Sequence, residues 1–475
     1  MSTAIVVGSG PNGLAAAVAL ARAGVEVTVL EAGREIGGGT RSGDLGMPGL
    51  VHDHCSATHP IAAVSPFLRS LDLGRHGLRW RTAEIDCAHP LDTGEAALLL
   101  RSVDDTAAGL GADERAWRRL FGPLSSSFDT LAEDLLHPLV RVPRHPVSLA
   151  RFGMRAMLPA AALAHRFRTD GARALFGGVA AHAFHPFHLP ATAGIGLTII
   201  GAGHRAGWPV AEGGSAAITT ALAGLLAELG GKIETGVRVR AAGELPPSDV
   251  VLFDLAPRAV AGILGDELPK RVAKAYRRYS YGPAAYKVDF AVDGGVPWST
   301  VDCRRAGTVH LGGGFEEIAA TERQIAAGTM PERPFTLVGQ QYLADPSRSR
   351  GDVHPVWAYA HVPSGYTGDA TEHVIRQIER FAPGFRERIV ARESRSATAF
   401  EAYNPNYVAG DIVGGANTLR QLVFRPRAAF DPYRTGVPGR YLCSAATPPG
   451  AGAHGMCGAN AAAAALRYLE RVQLS

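Results

Sequence analysis

At 475 residues, 46% of them apolar, with 57 glycines and a formal net charge of +4, the chain can bury a large core and is expected to form two domains. So small a charge for the size, with no RNA- or DNA-binding module in view, argues against nucleic acid as a partner. Cys55, Cys87, Cys303, Cys443 and Cys457 form no C-x-x-C pair and no zinc spacing, which predicts reduced thiols and no metal site.

The start of the chain has no basic leader, and no charge-free apolar run reaches about eighteen residues. The expectation is a soluble, intracellular, cytoplasmic protein. Residues 4–7, Ala-Ile-Val-Val, read as a buried parallel strand, 8–13 as a tight glycine turn, 14–23 as a helix and 25–31 as a second strand. Gly8 makes the turn, Gly10 lets the backbone approach a pyrophosphate, and Gly13 lets the helix pack closely on the strand; Asn12 lies among them. The helix start offers N–H groups and a positive dipole end to phosphates, and Glu31, about twenty residues on, can hold ribose hydroxyls. Strand, turn, helix, strand and acid in this order predict a bound dinucleotide.

Gly37, Gly38 and Arg41 follow Glu31, with Gly-Gly-x-x-Arg beginning six positions after the acid. This pattern resembles the signature of the FAD-dependent amine-oxidase and phytoene-desaturase superfamily. The resemblance implies FAD as the cofactor, held by Glu31, Gly37, Gly38 and Arg41 together with the glycine turn. Residues 49–56 read as a strand entering a loop, and the resemblance returns this segment toward the flavin ring. His52 and His54 are then either ring neighbours or loop histidines without chemistry.

From 105 to about 173 the pattern is helical, with Leu120, Phe121, Leu124, Phe128, Leu131 and Leu135 at helical spacing and prolines at 138, 143, 146 and 159 dividing it. Within 141–173 seven arginines stand among apolar residues with Asp170 as the only acid. Two readings are open: a basic amphipathic face resting on an anionic membrane, or the solvated face of a helical lid. Residues 201–207 look like another nucleotide loop but have one residue too many, and Trp208-Pro209 stand where a helix should begin.

The turn at 212–215 and helix 217–229 resemble the superfamily's return to its cofactor domain. Residues 230–239 read as turn and strand, on which the resemblance places Val239 against the adenine; 250–254 form another short buried strand. From 281 the pattern alternates, with strands at 285–292, 335–341 and 356–362 and a helical run at 369–381, an antiparallel sheet flooring a substrate domain.

Residues 441–443 read as a strand, 444–455 as a Gly/Pro loop, and the alanine tract to about 471 as a helix. That helix is expected to aim its N-terminus at the pyrimidine edge of the flavin, with Gly455 and Met456 at the ring. Ser444 stands where the superfamily commonly has glycine. His454 is open to three roles: proton donor, ring contact, or a hydrogen bond within the turn. Lys287, with Trp298 after it, resembles the amine-oxidase lysine that holds a water near flavin N5; the other reading is a solvent-facing lysine on an edge strand. The 403–416 loop and the last segment resemble the pyridine nucleotide-disulfide oxidoreductase domain-containing protein 2 (phytoene-dehydrogenase-related) branch.

The expected architecture is α/β: a discontinuous Rossmann-type FAD-binding domain from 1–85, 205–270 and 420–475, and an α+β substrate domain from 86–204 and 271–419 with an antiparallel sheet and a helical insertion. The expected activity is an FAD-dependent dehydrogenase or desaturase removing hydride from a small, mainly apolar substrate, with Lys287 and His454 as candidate catalytic residues. A flavin amine oxidase and a non-catalytic FAD-holding interaction protein are the alternatives. An oligomer is compatible with either.

Overall fold

The β-branched run Thr3–Val7 lies at the centre of a five-stranded sheet in a computed structural model that describes residues 2–474. The strand order is Arg440–Leu442, Val250–Phe253, Thr3–Val7, Glu26–Glu31, Lys232–Thr235, and every pairing is parallel. Its central strands are apolar on both sides because helices cover both faces. Ala4 and Val6 pack with Leu14, Val18, Leu222 and Ala465, from helices Pro11–Arg22, Ala216–Glu228 and Met456–Leu474. Ile5 and Val7, pointing the other way, pack with Phe253, Val260, Leu264 and Val272. The strand expected through 239 ends at Thr235, and 237–240 continue as a loop over the sheet edge.

A second sheet has seven strands in the order Ile389–Arg395, Ala284–Asp293, Val353–Val362, Thr336–Gly339, Ala306–Leu311, Ile85–Pro90, Ala96–Leu99. It is antiparallel except where Ala306–Leu311 runs parallel to Ile85–Pro90. Strands Ile85–Pro90 and Ala96–Leu99 escape the sequence pattern because Asp86 and His89 interrupt an otherwise apolar run that is buried throughout. One face is mainly apolar: Tyr286, Val288, Phe290, Ala358 and Ala360 pack against Val374, Ile375 and Ile378 of helix Thr371–Glu379.

The opposite face is different in kind. Lys287 stands opposite Tyr359, Asp289 opposite Trp357 and Ala285 opposite His361. Leu337 and His310 extend this row onto the next strands. Helices between 103 and 206 cover the far strands through Trp117, Phe121, Phe176 and Leu197. Pro146 opens helix Pro146–Ala156, a position that needs no proline N–H. Among the described residues no helix is long and apolar enough to cross a membrane.

Candidate cofactor and active site

A cavity of about 570 Å³ opens along the carboxyl edge of the parallel sheet, where open α/β sheets place their ligands. Residues 8–12, 31–33, 38–41, 237–240 and 254–256 line it, and so do 444–446 and 451–453 from the last part of the chain. The opening turn and the C-terminal loop thus share one chamber.

Backbone contacts explain the glycines. Gly8 has φ +104°, and a Cβ on Gly13 would sit 2.1 Å from the Gly8 carbonyl oxygen. A Cβ on Gly38 would meet the Gly10 Cα at 3.0 Å, so the second glycine pair folds directly onto the first turn. Gly10 caps the first helix without any side-chain cap, and the Gly13 amide donates to Asp254 Oδ2 at 2.9 Å.

Glu31 is buried at the cavity wall. It accepts from the Ser9 amide at 3.0 Å, the Ser9 hydroxyl and the Gly33 amide at 2.7 Å. Arg41 donates to the Glu35 carbonyl at 2.8 Å, approaches Glu31 at 3.5 Å, and lies over the Tyr403 ring. Burial pushes the Asp254 carboxyl up to about 7, with the charge of Glu31 adding to it and the Gly13 and Gly10 amides opposing.

Beside the cavity, Lys287 is 1% exposed on an interior strand, so it is neither solvent-facing nor on an edge. Its ammonium pairs with Asp289, whose other oxygen lies 3.2 Å from His52 Nδ1. Burial works to raise Asp289, but Lys287 and His52 outweigh it and hold the carboxyl below its ordinary range. The tryptophan at Lys287 is Trp357, its ring centre 5.7 Å from Nζ. Trp298 instead lies in the apolar core of the other face, donating to Gln340 Oε1 at 3.0 Å.

Trp357, Tyr359, Leu337, Phe184, Phe400 and Cys55 form one buried cluster, with Tyr407 packed against it. Cys55 and Tyr407 also line the cavity, so the cluster adjoins the chamber through these two residues. His361 carries the stacked ring of Phe184 at 3.8 Å and bonds Glu322 at 2.7 Å. His310 lies 3.5 Å from Cys87 Sγ, and burial lowers it well below the usual imidazole range. No group of three or more His, Cys, Asp or Glu among the described residues could hold a metal ion.

A family model described as an NAD(P)-binding Rossmann-like domain matches residues 6–71. Over 99% of its length the chain is 25% identical to the Mus musculus pyridine nucleotide-disulfide oxidoreductase domain-containing protein 2, covering 94% of that protein. An oxidoreductase from Methanosarcina mazei matches with a TM-score of 0.62 at 17% identity, covering 98% of this chain and 100% of that one. A wild-type putrescine oxidase bound to putrescine gives 0.60 at 17%, covering 99% of each. At such identities the two structures speak for the fold; the shared chamber, the glycine pairs and Glu31 speak for the cofactor.

The fold agrees with these structures, and Glu31 with Gly37-Gly38-x-x-Arg41 resembles the signature of the FAD-dependent amine-oxidase and phytoene-desaturase superfamily.

The residues present fit FAD as the cofactor. The uncapped helix start and the buried, partnerless Asn12 Oδ1 both stand at the cradle, and backbone lies where a side chain would block a pyrophosphate. Gly8, Gly10, Asn12, Glu31, Gly38, Arg41 and Val239 line the chamber. Gly13 and Gly37 shape it from behind, the Gly37 amide donating to the Ser9 carbonyl at 3.1 Å.

The far end differs from expectation. Gly455 and Met456 do not line the chamber; a Cβ on Gly455 would press on Ala15 at 2.8 Å, and Met456 is buried with Val64 and Phe128. Residues 444–446 and 451–453 take that place. His454 Nδ1 accepts the Met456 N–H at 3.0 Å, the bond within the turn, and burial lowers the ring to about 4. With that nitrogen engaged and the ring outside the chamber, the proton-donor and ring-contact roles fall away.

His52 and His54 stand on the Lys287 side, His54 edge-on to Tyr403 at 5.5 Å and lowered to about 4 by burial and the neighbouring Arg395. Asp254, Tyr403, Tyr407 and the Trp357-Ala-Tyr-Ala-His361 row are the residues sequence reasoning misses. The signal for the last was present, large aromatic groups alternating with alanine at period two. All five cysteines are free and buried.

Proposed function

We propose that this FAD-dependent oxidoreductase is a dehydrogenase or desaturase that removes hydride from a C–H bond of a mainly apolar substrate of lipid or isoprenoid character. One observation carries the reading: beside the charged Lys287–Asp289 edge the sheet face is built from Trp357, Tyr359, Leu337 and Phe184, and its carboxylate, Asp289, is ion-paired with Lys287 with His52 3.2 Å from its other oxygen. A protonated amine arriving there would meet Lys287 and Arg395 with no free acid to pair with. A hydrocarbon chain would exchange water for Trp357, Tyr359, Leu337 and Phe184.

FAD, when bound, would supply the redox chemistry as the hydride acceptor. The chain's residues hold and orient. Glu31, the glycine turn and Asn12 grip the dinucleotide, while the aromatic wall fixes the substrate chain and keeps water out. The Lys287–Asp289–His52 group sets a fixed charge pattern at the edge of that wall.

Burial of Lys287 beside Trp357 favours a second reading, amine oxidation with Lys287 positioning a water. Anaerobic mixing of the flavin-loaded protein with polyenes, isoprenoids and acyl compounds, and separately with primary and secondary amines, decides between them. Loss of the flavin's yellow absorbance with the first series supports dehydrogenation. Loss with amines alone overturns it, and loss with neither leaves a flavin-holding protein without turnover.

A further inference from the structure

Helix Pro146–Ala156 buries none of its residues. Val142 is 91% and Met154 71% exposed, and Val147 and Met157 stand out beside them. Single exposed apolar side chains are ordinary, but a concentration of them in one short segment marks a contact surface.

The charges around them are equally one-sided. Arg151 and Arg155 on this helix, Arg119 on the neighbouring helix Glu114–Ser126 and Arg166 make no ion pair among the described residues. Nearby Arg141 and Arg144, by contrast, are paired with Asp134 and Glu133. Two grooves of about 570 and 380 Å³ run across the same face. Leu120, Leu124, Phe152 and Leu163 give them apolar walls, and the four unpaired arginines stand around them. Apolar grooves edged by unpaired guanidinium groups suit acyl chains whose head groups carry phosphate.

We propose that this face seats the protein on an anionic lipid surface. The exposed apolar side chains enter the boundary between head groups and acyl chains, and Arg119, Arg151, Arg155 and Arg166 lie among the phosphates. A second copy of the chain is the poorer occupant, since a two-fold interface would set the same unpaired arginines against one another. The surface is separate from the redox site, and the proposal stands whichever substrate that site takes.

The test uses the full-length, flavin-loaded protein sedimented with vesicles of phosphatidylcholine alone, and with vesicles in which half the lipid is phosphatidylglycerol. Retention on the anionic vesicles, falling as salt rises, and little retention on the neutral ones are expected. The double variant Arg151→Gln/Arg155→Gln lowers the partition about fivefold for each arginine removed. Val142→Asp/Met154→Asp lowers it by more than about tenfold. All four positions lie on the surface, so the flavin spectrum and unfolding temperature should match the parent protein. Equal retention on both vesicle types, or unchanged retention in either variant, overturns the proposal. So does a concentration-dependent dimer without vesicles that these substitutions dissociate.

Discussion

The chamber of the parallel sheet and the wall of the second sheet are built from opposite materials. The first is governed by backbone: glycines at 8, 10 and 38 line it and Gly13 shapes it from behind, so that main chain rather than side chains sets the close approach there. The second is side chain, with Lys287, Asp289, Trp357, Tyr359 and His361 drawn from strands far apart in sequence and brought together by register. A backbone site tolerates almost no added atom, whereas a side-chain site depends on partners being present together.

The largest effect expected is at the charged edge of the wall. Asp289→Leu leaves the Lys287 ammonium buried without its carboxylate, a change that costs about 3–5 kcal/mol. Lys287→Met/Asp289→Leu, which removes both charges, should recover most of that loss. Chemical denaturation of the four proteins in a double-mutant cycle measures the coupling. Equal losses in the single and double variants would show that packing, not charge pairing, holds this edge.

Next is the backbone chamber, through Gly458. Alanine in a helix is normally favoured over glycine by about 1 kcal/mol. Here a Cβ would sit 1.8 Å from the Asn12 carbonyl oxygen, because the final helix crosses the first one against its backbone. Gly458→Ala should therefore destabilise by about 3 kcal/mol and release flavin, read from the unfolding midpoint and the flavin-to-protein absorbance ratio. Stabilisation by the same substitution would mean that the two helices are not clamped together.

The difference in materials also decides what the sequence could reveal. A backbone site announces itself locally, because Gly8, Gly10 and Gly13 must fall at fixed spacing within one turn, and Glu31 and Gly37-Gly38 follow after one helix and one strand. The wall has no such local rule. Lys287 and Trp298 are eleven positions apart and share a strand-turn neighbourhood, but Trp298 packs on the opposite face of the sheet. The tryptophan that does reach Lys287 is seventy positions on, and only strand pairing brings it there. Asp254 is hidden for another reason: a single acid after a short strand has no motif, and its place beneath the glycine turn depends on the order of strands in the sheet.

Asp254 gives the cradle a pH dependence. Its folded-state pKa is raised from 3.8 to about 7, chiefly by burial, so its contribution to stability is full below the unfolded value and is lost as pH rises through about 7. Glu31 is the other acid facing it, and Cys443 and Cys457 lie within its field. A pyrophosphate placed on the same turn adds negative charge and holds the proton more firmly. FAD affinity should therefore fall above about pH 7, approaching tenfold per pH unit, or about 1.4 kcal/mol. Asp254→Asn should flatten the profile measured by flavin-fluorescence quenching. A flat profile in the parent protein would show that the Asp254 carboxyl is ionised throughout.

The smallest effect separates a helix cap from a catalytic group at His454. Its Nδ1 accepts the Met456 N–H at the start of the final helix and its backbone carbonyl takes the Ser65 hydroxyl at 2.7 Å, while the ring stays out of the chamber. Removing such a cap costs about 1 kcal/mol. His454→Ala should lower the unfolding free energy by about that amount, read from the shift of the denaturation midpoint, and His454→Asn, which can still accept the amide, should restore part of it. Neither should shift the pH profile of flavin reduction by substrate, because the ring exchanges no proton with anything in the chamber. A shifted profile with an unchanged midpoint would return His454 to the reaction, and would mean that the last helix needs no cap because the Gly458 crossing alone fixes where it begins.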